Sequence, residues 1–280
     1  MFRYYGLLGL SLVIASFFLR ITGTNVGGTE TFVIGFWLFF DALDFKMSGT
    51  SILHKIKKKN SIILYMIFIG TVIGLIFDFF GAIISNLWTY PTFNIVYPIN
   101  IISAYGLPFV MYYSAYRVFS VIIRREFREF GTKLVSKKTE SRFFGFVVYI
   151  GLVCILIPVL LIPFLDSISS MLRGLLFAFT MLGMWFILEG IEYRQHKRSL
   201  LKDILEGYWN PIAALVIAAF ITGFSWELLN TIDWSWKYHN LPFSTNIFGV
   251  PVGVIIGWIP LFVIYLSFYG VMFKSKDSVF

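Results

Sequence analysis

Two acidic side chains inside apolar segments are the residues most able to do chemistry in this chain. Asp78 lies in GLIFDFFG (74–81) and Glu227 in GFSWELLN (223–230), and neither segment holds a Lys or Arg. Nine or ten residues beyond each acid stands a tryptophan, Trp88 or Trp236. At about 1.5 Å per residue that is roughly 13–15 Å of helix, so both acids fall inside hydrocarbon if the tryptophans mark its edge. A carboxylate at that depth should be protonated or hydrogen-bonded. It then marks either a functional site or a hydrogen bond between helices. A protonated acid among aromatic rings can protonate an alkene, and indole faces can stabilise the resulting cation. Glu227, flanked by Trp226 and near Ser225 and Asn230, is the preferred catalytic candidate. Asp78, flanked by Phe77, Phe79 and Phe80, is the second.

A further acidic layer repeats in the same way. Gly35, Trp37, Asp41, Asp44, Phe45 and Lys46 are matched 148 residues later by Gly183, Trp185, Glu189, Glu192, Tyr193 and Arg194. The i, i+3 spacing puts each acid pair on one helical face. Asp44 and Glu192 sit at the basic edge of their segments, and Asp41 and Glu189 lie about one turn deeper. These acids either contact substrate, with Trp37 and Trp185 one turn further in, or pair with Lys46, Arg194 and nearby basic loops to anchor helix ends.

The matches extend along the chain. Trp88-Thr89-Tyr90 answers Trp236-Lys237-Tyr238, and Gly106-Leu107-Pro108 answers Gly249-Val250-Pro251. The segment Arg3-Tyr4-Tyr5-Gly6 answers Arg142-Phe143-Phe144-Gly145. The chain therefore reads as a duplication that keeps its carboxylates.

Helices must position these residues, because the chain is 58% hydrophobic, 20% aromatic and only 14% charged, whereas a soluble domain carries about 25% charged residues. Apolar blocks long enough to cross a bilayer fall at 3–22, 28–45, 61–88, 100–123, 143–165, 171–193, 209–234 and 247–273. The expected fold is all-α, a polytopic membrane bundle of about eight helices arranged as two parallel four-helix repeats. Residues 1–123 form the first repeat and 143–273 the second. A basic cytoplasmic linker, 124–142, joins them as an amphipathic turn or short helix, and 274–280 form a tail. The third block exceeds what a core of about 30 Å needs and should tilt or emerge into the headgroups. The first block has no cleavage signature and reads as a retained anchor.

Of the 23 Lys and Arg, all but Arg20, Arg173 and Lys237 fall on one side of this layout. That bias puts both termini in the cytoplasm of a multi-pass cell-membrane protein. It also accounts for the net charge of +8 without nucleic acid as a partner. Both four-helix halves enter from the same side, which implies an axis along the membrane normal rather than an inverted repeat. Trp88, Tyr90, Tyr97, Trp234, Trp236 and Tyr238 read as an aromatic interface belt. Pro108, Pro251 and Pro260 read as kinks in the fourth and eighth helices.

Several chemistries are excluded. One cysteine, Cys154, allows no intrachain disulfide and no cysteine metal site. His54, His196 and His239 lie outside the apolar blocks, so paired haem ligands are not expected. No phosphate loop, nucleotide fingerprint or serine–histidine pair is present. No metal and no cofactor is expected.

The run FDFFGAIISNLWTYPTF followed by Gly106-Leu107-Pro108 resembles the membrane lycopene cyclase domain of carotenoid biosynthesis. That family places an acid near a helix end, an aromatic W-x-[FY] about ten residues on, and then a helix opening at a proline. Trp236-Lys237-Tyr238, Pro251 and Glu227 resemble the second copy. The family's glutamate pair after the proline is replaced by Phe109-Val110 and Val252-Gly253, and its domain has three helices rather than four. The chain also looks like uncharacterised duplicated prokaryotic membrane proteins. The resemblance implies a hydrophobic isoprenoid or lipid as partner, handled by carboxylate acid–base chemistry. A transporter with a path between the two acid layers, and a structural or accessory subunit, are the alternatives. Catalytic candidates are Glu227 and Asp78. Substrate contacts are expected from Trp226, Asn230, Trp37, Trp185, Asp41 and Glu189.

Overall fold

The computed structural model describes residues 2–23, 27–56, 61–91, 101–126, 136–196, 199–233, 235–241 and 245–272. Among the described residues the chain is all-α apart from two small antiparallel strand pairs, one joining distant segments and one a hairpin. Its elements are α1 (Phe2–Ile21), α2 (Gly28–Ser48), the short α3 (Ile52–Ile56) and α4 (Ser61–Asp78), which continues as a π-helical turn Phe79–Ile84. A second π turn, Ile102–Gly106, leads into α5 (Leu107–Glu126). Then come α6 (Lys137–Leu160), a 3-10 turn Ile162–Ser167, α7 (Ser170–His196), the short α8 (Leu200–Leu205), α9 (Asn210–Asp233) and α10 (Val252–Met272). Strand β1 (Trp88–Thr89) pairs antiparallel with β2 (Lys237–Tyr238), and β3 (Asn246–Ile247) with β4 (Val250–Pro251).

Seven helices among the described residues are long and apolar enough to cross a membrane: α1, α4 and α5 each with its π turn, α6, α7, α9 and α10. This is an all-α, multi-pass membrane bundle. Its outward side chains are those a lipid solvent favours: Leu7, Tyr149, Leu156, Leu160 and Phe220 are all exposed. The eighth long helix, α2, is interrupted by Glu30, Asp41, Asp44 and Lys46. It packs between α1 and α5 and buries Asp41 and Asp44.

Small residues set the closest helix approaches, as they do where lipid supplies no hydrophobic drive. A Cβ on Gly9 of α1 would lie 2.7 Å from the Gly35 carbonyl oxygen of α2. On the α6–α7 pair, a Cβ on Gly183 would lie 2.7 Å from the Gly151 oxygen. One turn along, Gly6 abuts Ala42, while Gly190 receives Val148, so the small and large partners are exchanged. These contacts align Gly9 with Gly151. The match expected between Arg3–Gly6 and Arg142–Gly145 is therefore displaced by about one turn. Gly crossings, not flanking charges, place these helices.

Other boundaries also move. The third block does not run to residue 88. Its α-helix gives way at Phe79 to the π turn, and the chain then reverses through Asn86 at φ 50°. The fifth block starts six residues early, at Lys137, because the Ser136 side chain caps it by accepting from the Thr139 N–H. The linker shrinks accordingly, and most of it (127–135), like the 274–280 tail, lies outside the described residues. Pro251 sits in β4, before α10, so it kinks nothing. Pro108 is the second residue of α5, and Pro260 is inside α10. The two Gly-x-Pro runs thus occupy different places: one opens a helix, and the other closes a hairpin with Gly249 at φ 83°.

At the centre, α5 and α10 face each other through exchanged aromatic pairs. Phe109 stacks on Tyr265 with centroids 4.9 Å apart, and Phe262 lies 4.4 Å from Tyr112.

Candidate functional site: an acid-bearing aromatic cavity

Asp78 ends α4 and is 7% exposed. Its Oδ1 accepts from the Trp88 indole N–H at 3.1 Å and from the Tyr90 hydroxyl at 2.7 Å. Its Oδ2 accepts from the Tyr105 hydroxyl. Past the first π turn the chain returns so that Trp88 lies over Gly81, while Tyr105, from the second π turn, lies over Gly74. Both acceptor oxygens are occupied.

Glu227, in α9 and 2% exposed, sits in a related but looser cage. The Trp236 N–H donates to the Tyr238 hydroxyl at 2.9 Å, and Tyr238 donates to Glu227 Oε1 at 2.7 Å. An indole N–H can only donate, so it commits each phenol proton to the carboxylate. Burial, reinforced by the adjacent acid, holds Tyr90 and Tyr238 well above the ordinary phenol value, so both remain O–H donors. The difference between the cages traces to one position. Where Gly81 leaves a seat for the Trp88 ring, the second segment has Asn230. Asn230 grips the Trp236 backbone in both directions, at 3.0 and 3.1 Å. The Trp236 indole donates to Tyr238 and also interacts with the Glu227 carboxyl group. The Trp258 ring, over Gly223, lies beside Glu227 and interacts with the same carboxyl group.

Both acids line one cavity of about 530 Å³, within the range usual for small-molecule sites. Its walls are mostly apolar and rich in aromatic rings, among them Trp88, Tyr105, Tyr112, Trp226, Trp258 and Tyr265. Phe77 stacks on Trp88 at 5.0 Å, and Trp226 on Trp236 at 5.8 Å. Tyr112 and Tyr265 line the same cavity as the two acids. Among the described residues, no Lys, Arg or His lines the cavity. Along α7 and α10 the walls are Gly174, Ala178, Gly253 and Gly257, and the cavity reaches the surface at Ile256, which is 52% exposed. Near the α2 end, the Ser103 hydroxyl donates to Glu30 Oε1 at 3.1 Å. Arg20, expected only to face the outer side, is buried and donates to Ser235 Oγ at 2.5 Å and to Thr29. Both acceptors belong to the cavity wall.

The expected site residues divide. Asp78, Glu227, Trp226 and Trp185 line the cavity; Asn230, Trp37, Asp41 and Glu189 do not. Asn230 is a backbone clamp. Trp37 buries its N–H without a partner among the described residues. Asp41 Oδ1 accepts the Leu53 N–H at 3.1 Å, and Glu189 Oε2 accepts the Leu201 N–H at 2.7 Å. Each acid thus satisfies an open N–H of a short helix, α3 or α8. Glu189 Oε1 also accepts from Trp185 at 3.0 Å and Ser267 at 2.7 Å. Asp44 does not use Lys46. It is bound by Arg117 of α5, which also reaches Thr50 at 2.9 Å. Glu192 lies against Gly270, where no Cβ would fit. These acids anchor helix ends, as one expectation held, but with partners the local sequence does not contain. The interface belt is corrected too. Trp88, Tyr90, Trp236 and Tyr238 turn inward as donors, whereas Tyr97 and Trp234 lie outside the described residues. Sequence reasoning missed Tyr105, Tyr112, Trp258 and Tyr265, whose apolar helices carry no signal that singles them out.

Fold and site together define a multi-pass helical membrane protein with a buried aromatic cavity holding two carboxyl groups. No protein-family model, curated protein or solved structure matches the chain.

Proposed function

We propose that this integral membrane protein binds a hydrophobic isoprenoid or lipid in the aromatic cavity, with Glu227 as the acid–base group. The observation that carries the reading is the cavity itself: apolar, reaching the surface beside a lipid-facing helix, and lined by the carboxyl groups of Asp78 and Glu227. A polar solute would find few partners there, since most lining groups are hydrocarbon. The two-layer proton path is less well supported. The link between the cavity and Glu189 is the Trp185 indole, and an indole N–H donates without accepting, so it does not relay protons.

The matched cages further support an arrangement of two parallel four-helix repeats, with α2 as an eighth span. The β1–β2 register pairs Thr89 with Lys237 and Trp88 with Tyr238. Exchanging each residue for its counterpart 148 positions away returns the same register, as a two-fold axis requires. Both termini are placed in the cytoplasm by the basic-residue bias. Reporter fusions in 46–60, 124–142 and 194–208 should all give cytoplasmic signals, and a signal from the opposite side at 124–142 would remove this topology.

The binding reading is tested by extracting lipids from the purified full chain and comparing them with bulk membrane lipid by mass spectrometry. One isoprenoid or lipid class should be enriched. It should be lost in Gly257→Phe, because a side chain there meets no atom within 4 Å and projects into the cavity space. Identical extracts from both proteins, matching bulk lipid, would sink the reading.

A further inference from the structure

We infer that the cavity's ligand carries a quaternary ammonium head, held among the aromatic rings by the charge of Asp78 and Glu227. The inference rests on the binding reading above and names the headgroup that reading leaves open. Asp78 is 7% exposed, Glu227 is 2% exposed, and both line the cavity. Each is met by donors. Trp88, Tyr90 and Tyr105 donate to Asp78. Tyr238 donates to Glu227, and the Trp236 and Trp258 indoles lie against the same carboxyl group. An ionised carboxylate only accepts and an indole N–H only donates, so both cages suit anions. The cages also touch, with the Trp88 and Tyr238 ring centroids 6.5 Å apart. Buried anions call for a cation, and among the described residues the lining has no Lys, Arg or His. Arg20 stands behind the wall, bonded to Ser235 and Thr29, and Glu30 offsets its charge. The positive charge is therefore the ligand's.

The walls decide which cation. A quaternary ammonium spreads its charge over alkyl groups, needs no hydrogen-bond acceptor and is attracted to aromatic faces, tryptophan above all. Trp226, Trp258, Tyr112 and Tyr265 supply such rings in the same cavity as the two acids. A primary ammonium brings three N–H donors that need acceptors, yet the carboxyl groups here already receive donors. A divalent metal ion takes six or more oxygen ligands, and no group of three or more metal-binding side chains occurs among the described residues. A phosphate or sulfate head would set its charge against both acids, which is unfavourable at low dielectric. A neutral head leaves both carboxylates without a counter-charge. The hydrocarbon tail then has the small-residue wall at Gly174, Ala178 and Gly257, which leads to the surface at Ile256.

The probes are hexadecyltrimethylammonium, its uncharged isostere 2,2-dimethyloctadecane, hexadecylamine and hexadecyl sulfate. Each is titrated into the full chain in neutral maltoside micelles, with protein-free micelles as the reference, and followed by quenching of tryptophan fluorescence. The quaternary cation should bind saturably and about tenfold tighter than the isostere, the gain expected of a desolvated cation on aromatic faces. The amine should bind less tightly than the quaternary cation, and the sulfate should not compete with it. Glu227→Gln and Asp78→Asn should each shrink the cation's advantage over the isostere, and Trp226→Leu should shrink it by removing a ring. Equal or tighter binding of isostere, amine or sulfate by the wild-type chain would overturn the quaternary-ammonium assignment while leaving the cavity a lipid site. An advantage that survives intact in both Glu227→Gln and Asp78→Asn would overturn it as well. If no probe binds the wild-type chain saturably, the binding reading itself falls. Circular dichroism of each variant separates loss of binding from loss of fold.

Discussion

Arg117→Ala should destabilise the protein by about 3–5 kcal/mol, the cost typical of leaving one partner of a buried ion pair alone. Arg117 is 5% exposed and Asp44 is 1% exposed. The guanidinium binds Asp44 through Nε and, at 3.3 Å, through Nη2, and it also holds Thr50 in the turn between α2 and α3. Truncation removes the one cation that Asp44 meets in an ion pair among the described residues, and it frees the α2–α5 contact. Unfolding in mixed micelles with increasing SDS should show the loss. The double variant Arg117→Met/Asp44→Leu should recover most of it, because an apolar pair needs no desolvation. If Arg117→Ala unfolds like wild type, the ion pair does not hold α2 to α5.

Gly81→Ala should have a comparable effect, by a steric route. A Cβ at residue 81 would lie 1.7 Å from the Trp88 ring, far inside contact distance. The indole cannot yield easily, because it is stacked on Phe77, bonded to Asp78 and part of the β1–β2 register. Overpacking of this kind costs about 1–3 kcal/mol. Stripping a buried carboxyl of a donor adds about 1–3 kcal/mol. Asn230→Ala, at the matching position, creates no clash and removes only the clamp on Trp236, so it should be milder. Thermal unfolding followed by near-ultraviolet circular dichroism of the tryptophans checks both. Equal stability of Gly81→Ala and wild type would mean that the Trp88 seat is not rigid.

What could be read from the residues followed from two strong constraints. Lipid demands long apolar helices, so an all-α bundle without a large sheet was legible in hydropathy alone; about eight crossings were expected, and seven helices among the described residues are long and apolar enough to cross. Buried carboxylates are costly, so Asp78 and Glu227 stood out by position, and Trp88 and Trp236 by their spacing from them. The 148-residue match between Asp41 and Glu189 likewise pointed to a shared role, and both acids do accept the N–H of a short helix.

What escaped the sequence depended on direction and distance. Trp88 and Tyr90 look like belt residues until the π turn at Phe79–Ile84 folds them inward, and nothing in FFGAII announces that turn. Arg117 reads as a basic flank until α5 carries it to Asp44, 73 positions away. The Gly-Leu-Pro and Gly-Val-Pro runs agree as letters but occupy different structural places, one opening a helix and the other closing a hairpin, whereas Tyr105 rests on Gly74 and Trp258 on Gly223. Local sequence therefore determined that this chain is a membrane bundle and that two of its acids lie inside it, since both follow from the free energy of transferring side chains into hydrocarbon. Only the tertiary structure decided how each acid is caged: the Trp88 indole reaches Asp78 across Gly81, whereas Asn230 holds the Trp236 backbone and Tyr238 reaches Glu227. That difference depends on whether an indole can cross a glycine or is held back by an asparagine, a matter of a few ångströms that no periodicity encodes.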